Sequence, residues 1–220
     1  MLSRNLLIIT LLSSLLSSTF IYAKTVTVTV MNINNNPVSD LVVFLEPLEN
    51  QKLDSLSVDP LIINQEDKKF APYISVIQKG LPLTFLNKDS ITHHIYSASS
   101  KNRFSFRLKS KDEKLVEDIM VAGKVVMGCN IHDWMSGYLL VVDTPIYSKT
   151  NSQGKVSLEV PEAGRYQLKV WHPQLMEKNQ EISRELNTSE INTVELRLTK
   201  KMAKIQIQEN PDNFDFLEDY

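Results

Sequence analysis

Short runs of β-branched and apolar residues recur along this 220-residue chain, and turn-forming residues separate them. Residues 25–30 alternate Thr and Val, and the turn signal Asn34 to Pro37 precedes a second run at Leu41 to Leu45. Alternation with a period of two places successive side chains on opposite faces of a strand. Many short strands joined by turns are typical of a β-sandwich. The sequence therefore predicts an all-β fold in which any helix is short, for instance near Lys111 to Asp118.

The same pattern continues through the rest of the chain. Residues 48–60 are polar and predict a linker or a long loop, while the apolar segments after them predict more strands. These predicted strands lie at residues 61–63, 73–78, 81–86, 94–97, 104–108, 121–127, 137–142, 155–160, 165–171, 181–186 and 193–198.

The composition excludes some classes of protein. Hydrophobic residues make up 42% of the chain and charged residues 23%, which suits a globular core and argues against wholesale disorder. The formal net charge is −2. A chain without excess basic charge is not expected to bind nucleic acid.

The first 23 residues have the pattern of a signal peptide. Arg4 supplies a positive charge, Leu6 to Phe20 is a short apolar run interrupted by serines, and Ala23 is a small residue before a cut. The sequence therefore predicts export to the periplasm and no membrane span in the mature chain. The alternative is that this run stays as an uncleaved anchor.

The only cysteine, Cys129, stands in a short segment with two other potential metal ligands. His132 and Met135 follow it at three-residue steps. In an oxidising compartment a single cysteine has no disulfide partner within its own chain. It is therefore a buried inert residue, a link to another molecule or a metal ligand, and its neighbours favour the metal.

A thiolate, two imidazoles and a weak axial thioether are the ligand set of a blue-copper electron-transfer site. The second imidazole would come from His93 or His94, and the ligand types alone do not distinguish these two adjacent histidines. Zinc bound by a Cys-His-His set and a Cys-His hydrolase are alternatives. Cys129, Met135 and His132 could also be ordinary core or loop residues.

These two segments together resemble the cupredoxins of the amicyanin and plastocyanin type. The spacing Cys-x-x-His-x-x-Met of the loop is similar to that family's. Upstream, Lys69 to Pro72, Gly80, Phe85 and Asn87 resemble the run that carries the first histidine ligand. In amicyanin-like sequences this histidine lies six residues after the asparagine.

The resemblance implies a cupredoxin Greek-key β-sandwich over residues 61–143 that binds one copper ion. It selects His93 as the first ligand and implies Cys129 and His132 as the other strong ligands, with Met135 as the weak axial one. His94 takes a place where the family often has an asparagine that braces the loop by hydrogen bonds.

The remaining segments resemble a second family. Residues 150–170 are similar to the transthyretin-like, carboxypeptidase-regulatory type of sandwich, and the opening of that fold is similar to residues 25–47. We therefore predict a second small β-sandwich made of residues 25–47 and 144–199, with the cupredoxin unit inserted. The alternative assigns residues 25–47 to the cupredoxin unit. His172 is expected to end a strand and to bind no metal.

The combination of both units resembles exported proteins often labelled methylamine utilisation proteins. It implies a protein that is not itself an enzyme and that passes single electrons to or from a redox partner, such as a cytochrome c or a periplasmic dehydrogenase. The alternatives are a periplasmic copper carrier or sensor, and a metal-free interaction module.

Two surfaces are predicted to meet partners. Ile131, Trp134 and Met135 would form an apolar patch around the edge of His132, through which electrons leave; alternatively, Trp134 is buried against the second sandwich. Residues 200–220 are expected to form a mobile acidic tail whose end steers a basic partner or merely adds solubility.

Overall fold

The computed structural model describes residues 24–51, 53 and 60–209. The predicted signal peptide, residues 1–23, and residues 210–220 of the predicted tail lie outside the described residues. Within the described part the chain forms sixteen strands and one 3-10 turn at Lys178–Gln180. The strands are β1 (Lys24–Met31), β2 (Val42–Pro47), β3 (Leu61–Glu66), β4 (Lys69–Ala71), β5 (Ile74–Gln78), β6 (Leu83–Asn87), β7 (His93–Ser97), β8 (Ser105–Leu108), β9 (Glu113–Val116), β10 (Gly123–Cys129), β11 (Ser136–Val142), β12 (Tyr147–Lys149), β13 (Lys155–Val160), β14 (Arg165–Trp171), β15 (Glu181–Asn187) and β16 (Thr193–Arg197).

The prediction of an all-β fold is confirmed, since the described residues contain no α-helix. The short helix expected near Lys111 to Asp118 is wrong, because Glu113–Val116 is strand β9 and pairs antiparallel with β6. A segment this short cannot hold a helix on its own propensity, so the backbone partners offered by the edge of a sheet decide its structure.

The strands form four sheets that enclose three hydrophobic clusters. Sheet 1 has the order β13-β1-β16 and sheet 2 the order β12-β2-β14-β15, while sheet 3 has the order β4-β3-β6-β9 and sheet 4 the order β5-β11-β10-β7-β8. Sheets 1 and 2, here called the terminal sheet pair, take their strands from both ends of the described chain. Sheets 3 and 4, the central sheet pair, take theirs from its middle.

Burial follows the position of each strand within these layers. In β1, Val26, Val28 and Val30 face the core between sheets 1 and 2. In β2, by contrast, Val42 to Leu45 are all buried, because Val43 and Leu45 enter that core while Val42 and Phe44 enter another cluster. A continuous apolar run is what a strand covered on both faces requires.

Strand β11 is the counterpart of β2 in the central sheet pair. Leu139 and Val141 enter the core between sheets 3 and 4, whereas Leu140 and Val142 pack with the second faces of β2 and β14. The cluster formed by Val42, Phe44, Ile74, Leu140, Val142 and Trp171 therefore joins sheet 2 to sheet 4. Lys149 adds a polar link by donating from Nζ to the carbonyl of Ile74 at 3.0 Å.

The first ten residues of the predicted tail, 200–209, belong to no strand: Met202 packs against the core between sheets 1 and 2, and Gln208 contacts the central sheet pair. The Gln208 side chain accepts a hydrogen bond from the Phe70 backbone N–H at 2.8 Å and donates one to the Phe70 carbonyl at 3.0 Å. Across the part of the chain that the structure describes, no helix has the length and hydrophobicity needed to cross a membrane.

His172 makes the terminal sheet pair sensitive to acid. Its imidazole is buried, and Nδ1 accepts the backbone N–H of Gln174 at 3.2 Å, so the neutral tautomer carries its proton on Nε2. Burial first, and then the charge of Lys149, lower the pKa of His172 to about 4, although Asp40 opposes the shift. Between pH 6.5 and pH 4, the His172 imidazole therefore binds a proton more readily in the unfolded chain than in the folded chain.

We expect the free energy of unfolding of the metal-free protein to fall as the pH drops from 6.5 to 4, because His172 must remain neutral in the fold. A single such group contributes a slope of at most about 1.4 kcal/mol per pH unit. Denaturant titrations at several pH values should show a shallower slope for His172→Asn, whose side-chain oxygen can still accept the Gln174 N–H. Equal slopes in both proteins would contradict this account.

Candidate metal site

A tight loop between β10 and β11 holds the three residues that the sequence places at three-residue steps. Cys129 ends β10, where it pairs with Ile95 of β7. Its backbone N–H donates to the Met135 carbonyl at 3.2 Å, and the Met135 N–H donates to the His132 carbonyl at 3.0 Å. These bonds close the loop on itself immediately before β11 begins at Ser136.

Gly128 leaves room for the side chain of its neighbour on β7. The two residues are paired across the strands, and the Tyr96 ring lies over the glycine. A Cβ atom at position 128 would stand 2.7 Å from both Cζ and Oη of Tyr96, which is closer than non-bonded atoms allow. The tyrosine ring thus occupies the space that a bulkier residue before the cysteine would need.

His93 reaches the cysteine from the start of β7. Its Nδ1 lies 3.7 Å from Cys129 Sγ, and its Nε2 lies 2.7 Å from Asp89 Oδ2. A carboxylate only accepts hydrogen bonds, so Nε2 carries the proton and Nδ1 presents a lone pair towards the thiol. This tautomer is the one in which Nδ1 can bind a metal ion.

His132 approaches the thiol from the other side. Its Nδ1 is also 3.7 Å from Cys129 Sγ, and the centroids of the His93 and His132 rings are 5.1 Å apart. The His132 side chain has no exposed surface, and its Nε2 has no hydrogen-bond partner among the described residues. Both imidazoles therefore direct Nδ1 at the same sulfur.

Asp89 is the functional residue that sequence reasoning missed. Besides His93, its carboxylate accepts the backbone N–H groups of Asp67 at 2.8 Å and Lys68 at 3.1 Å. Its own backbone N–H donates to Asn87 Oδ1 at 2.9 Å. An acidic residue four positions before a candidate histidine in the same loop was the available signal.

Asn87 organises the loop that carries Asp89. Its buried amide donates to the carbonyls of Ile91, Leu108 and Lys109, at 2.7, 3.0 and 3.1 Å respectively. These bonds connect the segment before His93 to the end of β8. The six-residue spacing from the asparagine to the histidine thus corresponds to a loop built around one amide.

Burial keeps the three side chains electrically neutral. Desolvation raises the pKa of the Cys129 thiol, against backbone N–H groups that favour the thiolate. Desolvation lowers the pKa of His93, although the neighbouring Asp89 opposes this shift. Desolvation also lowers the pKa of His132, to about 4, and positive charge on His93 or Lys68 acts in the same direction. A neutral thiol and two neutral imidazoles in a dry site are poised to exchange the thiol proton for a metal cation.

The positions of the three donor atoms fit a bound metal. One atom each from His93, Cys129 and His132 lies within 4.8 Å of the others. A metal–sulfur bond of about 2.3 Å and a metal–nitrogen bond of about 2.0 Å that meet at about 120° separate sulfur from nitrogen by about 3.7 Å. Both sulfur–nitrogen distances in the structure have this value.

The other predicted residues lie in different surroundings. Met135 is buried in the same core as Cys129. His94 points away from the thiol, because its Nδ1 accepts the Asn130 amide and its Nε2 bonds Ser105 Oγ, each at 2.9 Å. The predicted apolar patch has no exposed His132 edge at its centre, since Trp134, half-buried, lies against that ring at a centroid distance of 5.1 Å.

We expect Co(II) to bind the purified protein and to give a thiolate-to-metal absorption band that depends on His93. His93→Asn should weaken binding by at least an order of magnitude because a donor is lost from a buried site. His94→Asn is the matched control, and should bind Co(II) as the wild type does. Equal losses in both variants would show that His94 takes part in the site.

Comparisons with known proteins give only partial likenesses among solved structures. A Cu-containing nitrite reductase (NirK) from Thermus scotoductus SA-01 is 20% identical with a TM-score of 0.36, and the match covers 40% of this chain but only 23% of the reductase. A variant of amicyanin in the oxidised state is 15% identical with a TM-score of 0.35, over 38% of this chain and 82% of amicyanin. A purple cupredoxin from Nitrosopumilus maritimus is 21% identical with a TM-score of 0.34, over 37% of this chain and 99% of the cupredoxin. No protein-family model and no curated protein matches the chain.

Proposed function

We propose that this chain is a cupredoxin-like copper protein that carries single electrons between redox partners. His93, Cys129 and His132 would hold one copper ion, and Met135 would be a weak axial ligand. The observation that carries the proposal is the convergence of two imidazole Nδ1 atoms on one buried thiol, each at 3.7 Å.

The chemistry of the donors favours copper over zinc. A His-His-Cys set with a thioether on the same loop is the blue-copper combination, whereas a structural zinc site takes four Cys, His or carboxylate ligands. Among the described residues this group contains three Cys, His or carboxylate ligands, which is one fewer than a structural zinc site takes. The thioether of Met135 follows His132 by three positions. A bound copper ion supplies one-electron redox chemistry between Cu(I) and Cu(II).

The residues around the site would limit its movement during such a cycle. Asp89 fixes the ring of His93 and Asn87 holds the loop that carries Asp89, while the backbone bonds at Cys129 and Met135 close the other loop. Strands hold both ends of that loop. Rigid support of the ligands keeps their rearrangement small when an electron arrives or leaves, which speeds electron transfer.

Burial supports an electron carrier over a copper-delivery protein or an enzyme. The side chains of His93 and His132 have no exposed surface, and Cys129 is 3% exposed. A delivery protein must let an acceptor reach its ligands, and an enzyme must let a substrate reach its metal. An electron, by contrast, can leave a site that no molecule enters.

We further propose that the mature chain works in the periplasm with a cytochrome c or a periplasmic dehydrogenase as its partner. This part of the proposal rests on the signal-peptide pattern of residues 1–23 and on the sequence resemblance. Redox encounters of this type use small, short-lived contact areas.

Adding Cu(II) to the mature protein should produce an intense thiolate-to-copper band in the visible spectrum and a blue-copper electron paramagnetic resonance signal. Cys129→Ser should abolish the band because the sulfur donor is lost. His94→Asn should keep it. A wild-type protein without the band, or a serine variant with the same spectrum, would reject the proposal.

Asp89→Asn should raise the reduction potential of the copper-loaded protein. The asparagine oxygen can still accept the His93 N–H, but the negative charge that favours Cu(II) is gone. We expect a rise of about 59 mV, which corresponds to a tenfold change in equilibrium constant for one electron.

Asp133→Asn is the matched control for this charge. Asp133 lies in the Cys129–Met135 loop, but its side chain is exposed to water. Its replacement should shift the potential much less, since solvent screens an exposed charge. Equal shifts in both variants would contradict a specific role for the Asp89–His93 pair.

A further inference from the structure

The His132 imidazole is sealed inside the protein with one polar atom unpaired. Its exposed fraction is 0%, and Nε2 has no hydrogen-bond partner among the described residues. Because Nδ1 faces the Cys129 sulfur, a lone pair at Nδ1 leaves the proton on Nε2. A buried N–H without an acceptor is costly, so whatever packs against Nε2 matters.

Trp134 is the aromatic residue that packs against this ring. The two ring centroids are 5.1 Å apart and the planes are inclined by 56°. An N–H group gains weak stabilisation from an aromatic face, which suits an imidazole with no oxygen acceptor. Trp134 is itself half-buried, so part of the residue reaches solvent. Trp134 therefore contacts both the imidazole and water.

This contact changes the route that an electron can take. An external redox partner cannot touch His132, because that side chain has no exposed atoms. It can touch Trp134, which lies two residues further along the same loop. Electronic coupling falls steeply with distance, so a partner in contact with the indole gains a bridge to the ligand that a partner elsewhere on the surface lacks.

Resting on the proposed function, we infer that electrons enter and leave the site through the Trp134 indole and not through an exposed edge of His132. One electron passes from a molecule holding Cu(I), which is oxidised, to a one-electron acceptor, which is reduced. The indole acts as a bridge and keeps its own electrons and its N–H proton throughout.

Electron self-exchange tests this inference without an identified partner, because the acceptor is a second copy of the chain holding Cu(II). The rate is measured from NMR line broadening in mixtures of the reduced and oxidised protein. Trp134→Phe, which keeps an aromatic ring, should stay within a few-fold of the wild type. Trp134→Leu should lower the rate by at least an order of magnitude, with the visible spectrum and the reduction potential unchanged.

Trp171→Phe is the matched control, since Trp171 lies in the cluster between sheets 2 and 4. It should leave the exchange rate unchanged. A Trp134→Leu protein that exchanges as fast as the wild type, or faster, would overturn the inference and identify Trp134 as a shield over His132.

The metal-free protein gives an independent readout. The indole ring current should shift the ring-proton resonances of His132, and Trp134→Leu should remove that shift while the rest of the spectrum shows a folded chain. Unchanged His132 resonances would overturn the contact on which the inference depends. A wild-type protein that forms no blue-copper band would reject the proposed function together with this inference, whereas a blue protein with a fast leucine variant rejects the inference alone.

Discussion

Strand β11 is buried on both of its faces, and the relation between the candidate site and the rest of the molecule depends on that burial. Leu139 and Val141 enter the core beside Cys129, while Leu140 and Val142 enter the cluster that joins the two sheet pairs. The strand begins one residue after Met135. The end of the loop is therefore fixed to both sheet pairs at once, because each buried side chain contributes to holding it.

The same dry surroundings set the electrostatics of the loop. Burial favours the protonated Cys129 thiol and the neutral forms of His93 and His132, so that the three groups carry no charge before a metal arrives. A cation would replace the thiol proton and restore charge balance with the resulting thiolate. Asp89 provides a negative charge beside the site, with its side chain 13% exposed, and its carboxylate contacts the site through His93.

Local sequence patterns were sufficient for the elements whose structure is decided locally. Alternation in residues 25–30 corresponds to β1, and the continuous apolar run at residues 41–45 overlaps β2, whose two faces are both covered. The patterns did not predict three short strands, β4, β9 and β12. Strands β9 and β12 gain their structure from partners distant in sequence, whereas β4 forms a tight hairpin with the preceding strand β3. For β9 the residues alone favoured a short helix, because an exposed edge strand has few apolar side chains.

The candidate site shows the same division. The steps from Cys129 to His132 and Met135 lie within one loop and can be read from the sequence, and the structure brings the first two together with His93. The position of Asp89 four residues before His93 was a signal in the sequence, but its full role depends on a turn at residues 67–68 that meets the same carboxylate in the fold. The sealed edge of His132 was equally hidden, since the side-chain direction of Trp134 is a property of the folded loop.

The contact between Gly128 and Tyr96 has a consequence for how this loop can change in evolution. The two positions share one volume, because a Cβ atom at one would overlap the ring at the other. A larger residue before the cysteine requires the Tyr96 ring to move aside or to be replaced. A substitution at either position therefore changes the space available at the other.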